Sequence, residues 1–324
     1  MTATADISPD AEFGFEAHPN NTTKEHLKTL HDLGFTRLSL GIQDFDPKVQ
    51  EIINRKQSYQ RVEVVTEAAR EIGYSSINYD IIYGLPLQTK ESIVDTIKKV
   101  VKLKPDRIAF YSYAHVPWMK PGQRKFTEQD LPSDEEKMAI YQTGRRMLEI
   151  AGYYEIGMDH FALTTDSLYK AAERGTLHRN FMGYTPDNTR LLIGLGASSI
   201  SDTWTAFAQN HKSVENYMKA IANRELPVCK GHVLNEEDLV LRKHISNLMC
   251  NNETTWHKEL KGDEVLKDGL ARLNEMASDD LVHINSKSIY VTEKGRPFLR
   301  NVCMAFDTRM MRDQPDREVF SKII

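Results

Sequence analysis

Cysteine is scarce in this chain, and its three thiols, Cys229, Cys250 and Cys303, stand far apart. That spacing excludes a disulfide framework and a sequence-local metal motif, so all three are expected to be ordinary reduced thiols. An excess of one charge is lacking too, since 42 Lys and Arg stand against 46 Asp and Glu. Without a broad basic field to neutralise phosphates, nucleic acid is not expected as a partner. No apolar run approaches the roughly 20 residues of a membrane span. The polar start MTATADISPDAE has neither the basic end nor the apolar stretch of a signal peptide. These absences predict a cytoplasmic protein with no membrane partner. Internal repeats and low-complexity segments are also missing.

What is present suffices for one large core and a smaller one, with 40% hydrophobic and 27% charged residues in a chain of 324. Residues 1–12 are polar and expected to be disordered. From residue 13, short apolar runs alternate with helical patterns, which predicts an α/β fold with a parallel sheet and crossover helices. FGFEAH (13–18), RLSLGI (37–42), SINYDII (76–82) and RIAFYSY (107–113) read as strands. Helices are expected over about 23–33, 46–54, 59–72 and 91–103. Asn21 and Thr22 are the candidate caps of the first, and Gly34 and Gly73 close the first and third. A helix over about 134–150, the strand YEIG (154–157) and the Gly-rich run LLIGLGASSI (191–200) are read as the later part of the same sheet. Composition shifts near 235, so the expected domains are 13–234 and a small, mostly helical 235–324.

Ligands of parallel barrels gather at the C-terminal ends of the strands, where loops converge over a rigid base. Polar residues recur there: Glu16 and His18, Gln43 and Asp44, Asp80 before Gly84, Ala114 with His115, Asp159 with His160. Singly, each reads equally well as a cap or turn former; five strand ends together predict one polar pocket. No HxxxH or HxxE spacing surrounds His115 or His160, so no metal is expected from this chain alone. His178 and Arg179, in LHRNFMGYT, read either as a solvated loop or as an anion-binding one.

Six blocks carry a resemblance: GFTRLSLGIQDFDPKVQEIINR (34–55), SSINYDIIYGLPLQT (75–89), PDRIAFYSYAHVP (105–117), GMDHFA (157–162), LHRNFMGYT (177–185) and NVCMAFDT (301–308). In order and wording they resemble the bacterial oxygen-independent coproporphyrinogen III oxidases, from about residue 10 to the end. The resemblance implies a partial (β/α) radical S-adenosylmethionine barrel lacking its first strands, followed by a small helical domain. It also implies cofactor contacts from Glu16, Gln43, Arg55, Asp80, Ala114 and Ile200, with two S-adenosylmethionine molecules bound near each other. The implied reaction is oxidative decarboxylation of two propionates of coproporphyrinogen III to vinyl groups, giving protoporphyrinogen IX in heme biosynthesis. Because that substrate carries four carboxylates, His178 and Arg179 become candidates for binding it.

The same resemblance implies a 4Fe-4S cluster held by a CxxxCxxC run, and this sequence contains no such run. The expectation is therefore the C-terminal portion of an oxidase, inactive alone, with FGFEAH left as an exposed apolar edge strand. A missing N-terminal cluster-bearing segment or chain is the expected partner. Half of a split enzyme and a noncatalytic interaction protein are the alternatives. A heme-binding relative is a further one, although its HNxxYW motif is replaced here by HRNFMGY.

Overall fold

Four parallel strands open the chain in the computed structural model, which describes residues 6–256 and 263–312. In order come β1 (Phe13–Ala17), α1 (Lys24–Asp32), β2 (Phe35–Gln43), α2 (Pro47–Ile52), α3 (Tyr59–Ile72), β3 (Ser76–Tyr83), α4 (Lys90–Leu103) and β4 (Arg107–Ser112). They are followed by α5 (Asp134–Ile150) and a hairpin of β5 (Tyr153–Gly157) and β6 (His160–Leu163). The strands order as β1-β2-β3-β4-β6-β5, parallel through β4, with β6 antiparallel to both its neighbours. YEIG thus joins the sheet, but through a hairpin.

Local chemistry sets the helix ends. Thr23 caps α1 by accepting from His26 N, in place of Asn21 or Thr22, because Pro19–Asn21 already form a 3-10 turn. Ser58, Thr89 and Ser133 cap α3, α4 and α5 in the same way. Gly73 closes α3 at φ +112°, a left-handed backbone that favours glycine.

The period of two along β2 and β3 divides the sheet into unlike faces. Leu38, Leu40 and Ile42, with Ile77, Tyr79 and Ile81, are buried against Val62, Val65 and Ala69 of α3 and Ile93, Ile97 and Val100 of α4. Each such side chain contributes about 1.5–3 kcal/mol on leaving water. Ser39, Gly41 and Gln43 of β2 and Asn78 and Asp80 of β3 take the opposite, polar face. β1 is an edge strand. Its Phe13 and Phe15 are half-buried against the rings of Phe35 and Tyr74, while Gly14 and Glu16 are exposed.

The chain divides into two compact units between Tyr169 and Lys170, within α6 (Ser167–Glu173), whereas the composition shift lies near 235. The second unit begins with a hairpin of β7 (His178–Asn180) and β8 (Gly183–Thr185). β9 (Ile200–Asp202), β10 (Ala206–Asn210) and β11 (Val228–Val233) form an antiparallel sheet in the order β11-β10-β9, with α7 (Val214–Ala222) between the last two in sequence. Next come α8 (Glu236–Asn251), β12 (Glu253–Thr255), α9 (Asp263–Arg272), α10 (Asn274–Ser278), β13 (Val282–Ile284), β14 (Ser288–Val291), α11 (Leu299–Met304) and α12 (Thr308–Arg312). The region after 235 is thus helical around a small sheet ordered β12-β14-β13.

One expectation fails here: LLIGLGASSI is not a strand of the large sheet. Its glycines let it fold back on itself. The Asn210 amide donates to the carbonyls of Gly194 and Gly196, Gly196 lies at φ +100°, and Leu191, Ile193 and Leu195 are exposed. Ile200 is the first residue of β9. Among the described residues, no helix is long and apolar enough to cross a membrane.

Candidate cofactor-binding site

The polar face of the large sheet is organised around Asp80. Asn78 Nδ2 donates to its Oδ1 at 2.8 Å and to Ser39 Oγ at 2.9 Å, and Ser39 Oγ lies 3.4 Å from Asp80 Oδ2. Glu16 sits beside Ser39 across the β1–β2 pairing. Burial pushes the Asp80 carboxyl up to about 6, with the negative charge of Glu16 adding to it and the charge of Arg55 opposing it. A half-buried carboxyl with that value is largely ionised at pH 7, where it can accept from donors of a ligand.

Arg55 reaches the same face from the turn after α2. Its Nη2 donates to the carbonyl of Gly41 at 2.9 Å, and its Nε is buried with no hydrogen-bond partner. Gly41 has to be bare for this approach, since a β-carbon there would stand 2.6 Å from Arg55 Nη2 and 3.0 Å from Gln43 Nε2. Gln43 ends β2 at φ +69°, a strained conformation for a side-chain-bearing residue and one common at functional sites. Ala114 is exposed just beyond β4, in a loop clipped by Gln123, which donates to Ala114 O at 3.0 Å and accepts from Val116 N at 2.6 Å.

Among the strand-end residues, Asp44 belongs elsewhere. It is fully buried and accepts from Thr96 Oγ1, Gln88 Nε2 and Asp46 N, so it ties β2 to the helix layer. His18 caps the 3-10 turn through Nδ1, and His160 lies edge-on to Tyr111 with its Nε2 3.3 Å from the phenol oxygen. The sequence reading missed Ser39 and Asn78, although both share the alternating face of Gly41 and Asp80. It also missed the buried ion pair of Arg107 with Asp166, at 2.8 Å.

In the second unit, His178 is buried near Trp204, and burial with the charge of Arg242 lowers its pKa. The Arg179 guanidinium stands 4.6 Å from the centre of the Tyr184 ring, and its Nη1 is buried without a hydrogen-bond partner. Ile200 is half-buried. Among the described residues, no group of three or more His, Cys, Asp or Glu could hold a metal ion. Burial pushes the thiols of Cys250 and Cys303 up to about 11 and about 12, the reverse of what a thiolate ligand needs.

Comparison with known proteins follows the same lines. Residues 2–100 match the sequence profile described as the Radical SAM superfamily. The chain is 39% identical over 325 residues to the oxygen-independent coproporphyrinogen III oxidase of Escherichia coli, covering 98% of this chain and 70% of the relative. It is 41% identical to that of Helicobacter pylori, covering 93% and 67%. The solved structure of the Escherichia coli coproporphyrinogen III oxidase, described as a radical SAM enzyme, superposes with a TM-score of 0.88 at 40% identity, over 93% of this chain and 70% of that one. Identity and coverage of this order place the chain in the oxygen-independent coproporphyrinogen III oxidase family, an enzyme family of the radical SAM superfamily.

Proposed function

We propose that this chain carries the S-adenosylmethionine-binding part of a coproporphyrinogen III oxidase and that the cysteines of its 4Fe-4S cluster come from outside these 324 residues. The observation that carries the reading is the polar sheet face. Arg55 holds a buried, unpartnered Nε beside Gly41, and Asp80 is held in the same face by Asn78 and Ser39. Those groups fit the cofactor, which combines a carboxylate and an ammonium with ribose hydroxyls.

In this reading the Asp80 and Glu16 carboxylates accept from ribose hydroxyls or the ligand amine, and Arg55 donates to a carboxylate. Gln43 supplies a carboxamide from its left-handed position, and Ala114 supplies backbone groups beyond β4. In the second unit, Ile200 offers an apolar side chain and Arg179 an unused donor suited to a propionate. When bound and cleaved by an electron from an outside donor, S-adenosylmethionine would supply the hydrogen abstraction that starts loss of carbon dioxide from a substrate propionate, and the protein would orient both and exclude water. The cluster does not fit the residues present, because the three cysteines are dispersed and two are raised by burial.

Calorimetric titration of the purified chain with S-adenosylmethionine tests the binding half, with Arg55→Met expected to weaken it at least tenfold. Anaerobic assay with coproporphyrinogen III, iron, sulfide and reductant tests the other half. Turnover is expected only when a polypeptide bearing CxxxCxxC is added in trans. Cluster absorbance and product from the chain alone would overturn the reading, as would failure to bind the cofactor.

A further inference from the structure

Lys137 lies in the first turn of α5, behind Asp134, Glu135 and Glu136. A cation there opposes the helix dipole, so helix stability does not explain it. Its stem runs over the backbone of Gly84, where a β-carbon would stand 2.8 Å from Cε and 3.0 Å from both Cδ and Cγ. Gly84 itself is at φ +79° just after β3 and is fixed by its N–H donating to Gln88 Oε1 at 2.6 Å. A lysine stem and a bare glycine are thus fitted to each other at the C-terminal end of the strand.

The stem delivers the ammonium to the carbonyl of Tyr113, which follows β4, at 3.3 Å. Among the described residues, that long bond is its one hydrogen bond, and no carboxylate forms an ion pair with it. Burial lowers its pKa, and only the charge of Asp134 opposes this. Next along the chain, the Tyr113 hydroxyl and His115 Nδ1 are both buried without hydrogen-bond partners, and their rings gather with Phe126 at centroid distances of 5.5–6.2 Å. A half-buried ammonium with spare donors is costly unless an anion completes it, and the loop after β4 that it reaches carries two more buried polar atoms without partners.

We propose that Lys137 binds a carboxylate of the ligand at the C-terminal edge of β3 and β4, its ammonium positioned there by Gly84 and Tyr113. The inference rests on the family reading above and adds a residue to it. The carboxylate belongs either to the amino-acid end of S-adenosylmethionine or to a propionate of the porphyrinogen. The chemistry is shared, and the probes separate the two.

Wild type, Lys137→Met and Lys137→Arg of the full chain are titrated with four probes. These are S-adenosylmethionine and its decarboxylated analogue, and coproporphyrin III and its tetramethyl ester. Methionine keeps the stem over Gly84, so the fold is expected to persist, as thermal melting checks. Lys137→Met should weaken one acid by about tenfold and leave its counterpart without the carboxylate unchanged, as expected for loss of one charge-assisted contact, while arginine retains most of the affinity. On the unaltered chain, the same acid should slow acetylation of Lys137, and its counterpart should not. Equal binding of both acids by wild type and Lys137→Met, or equal loss for acid and counterpart, overturns the inference and leaves the family reading intact. If wild type takes up neither acid, the family reading falls and this inference with it.

Discussion

The carboxamide of Asn78 donates both to Asp80 Oδ1, at 2.8 Å, and to Ser39 Oγ, at 2.9 Å, so one side chain sets the orientation of the acid at the centre of the polar face. Asp80 nevertheless has its pKa raised to about 6, because burial outweighs those hydrogen bonds. A carboxyl raised in the folded state holds its proton at a pH where the unfolded chain has lost it, so the fold is penalised as pH rises from about 4 to about 6, and the penalty is complete above that. Asp80→Asn removes the ionisable group and keeps an acceptor for Asn78. It should stabilise the protein at pH 7.5 by about 1–3 kcal/mol, with the gain vanishing near pH 4. Urea denaturation at the two pH values measures this, and cofactor affinity should fall in the same variant. A loss of stability at pH 7.5 would show that Asp80 serves the fold.

Asp44, one residue beyond the end of β2, is tied to the helix layer instead. Thr96 Oγ1 donates to Asp44 Oδ1 at 2.9 Å and accepts from Phe45 N at 3.1 Å, and both residues are fully buried. Thr96→Val keeps the shape but removes one of two donors to Asp44 Oδ1, which keeps Asp46 N, and leaves the Phe45 N–H unpaired, an expected loss of about 1–3 kcal/mol. Burial already raises the pKa of Asp44, and the lost hydrogen bond raises it further. The destabilisation should therefore shrink in acid, where the carboxyl is protonated. Equal denaturation midpoints at neutral pH would remove Asp44 from the structural role given to it here.

Much of this was legible in the sequence, for identifiable reasons. The helix over 134–150 was legible at both ends because Ser133 caps it and the apolar spacing runs unbroken. SINYDII was legible because its alternation is regular, and Asp80 with it. The partnership of Asn78 with Ser39 was not, since it spans 39 residues and exists only once the parallel register is set. LLIGLGASSI misled because a short apolar run cannot distinguish a strand from a glycine-rich turn held by a distant Asn210. Arg55 came from resemblance alone, and Lys137 was invisible because its partner, Gly84, lies on another element.

Gly144 sets how closely α5 approaches β4. A β-carbon at that position would stand 2.5 Å from Phe110 Cζ and 2.7 Å from Cε1, and the Phe110 ring lies 4.9 Å from that of Tyr83 and 6.1 Å from that of Tyr141, which is on α5 itself. Alanine gains about 1 kcal/mol of helix propensity, but crowding a filled core costs about 1–3 kcal/mol. With Phe110 fully buried and packed against two other rings, crowding is expected to win. Gly144→Ala should therefore destabilise, and Phe110→Leu in the same chain should recover part of the loss. Thermal denaturation of the single and double variants decides; a single variant more stable than wild type would mean that the helix can shift away.

Arg107 and Asp166 form a buried ion pair on the polar side of the sheet, far along the chain from each other. Arg107 Nε reaches both carboxylate oxygens at 2.8 Å and Nη2 reaches Ser167 Oγ at 2.8 Å, while Asp166 also accepts from Ser76 Oγ and Leu168 N. Removing one partner leaves the other charge buried, so Arg107→Met should cost about 3–5 kcal/mol. Replacing both removes the stranded charge, and Arg107→Met with Asp166→Leu should be clearly more stable than Arg107→Met alone. If the double variant is the less stable, the hydrogen bonds of Asp166 to Ser76 and Leu168 matter more than its charge. The pair is then a clamp on the start of β3 and the turn into α6, and its loss should appear first as faster amide exchange at Ser76 and Leu168.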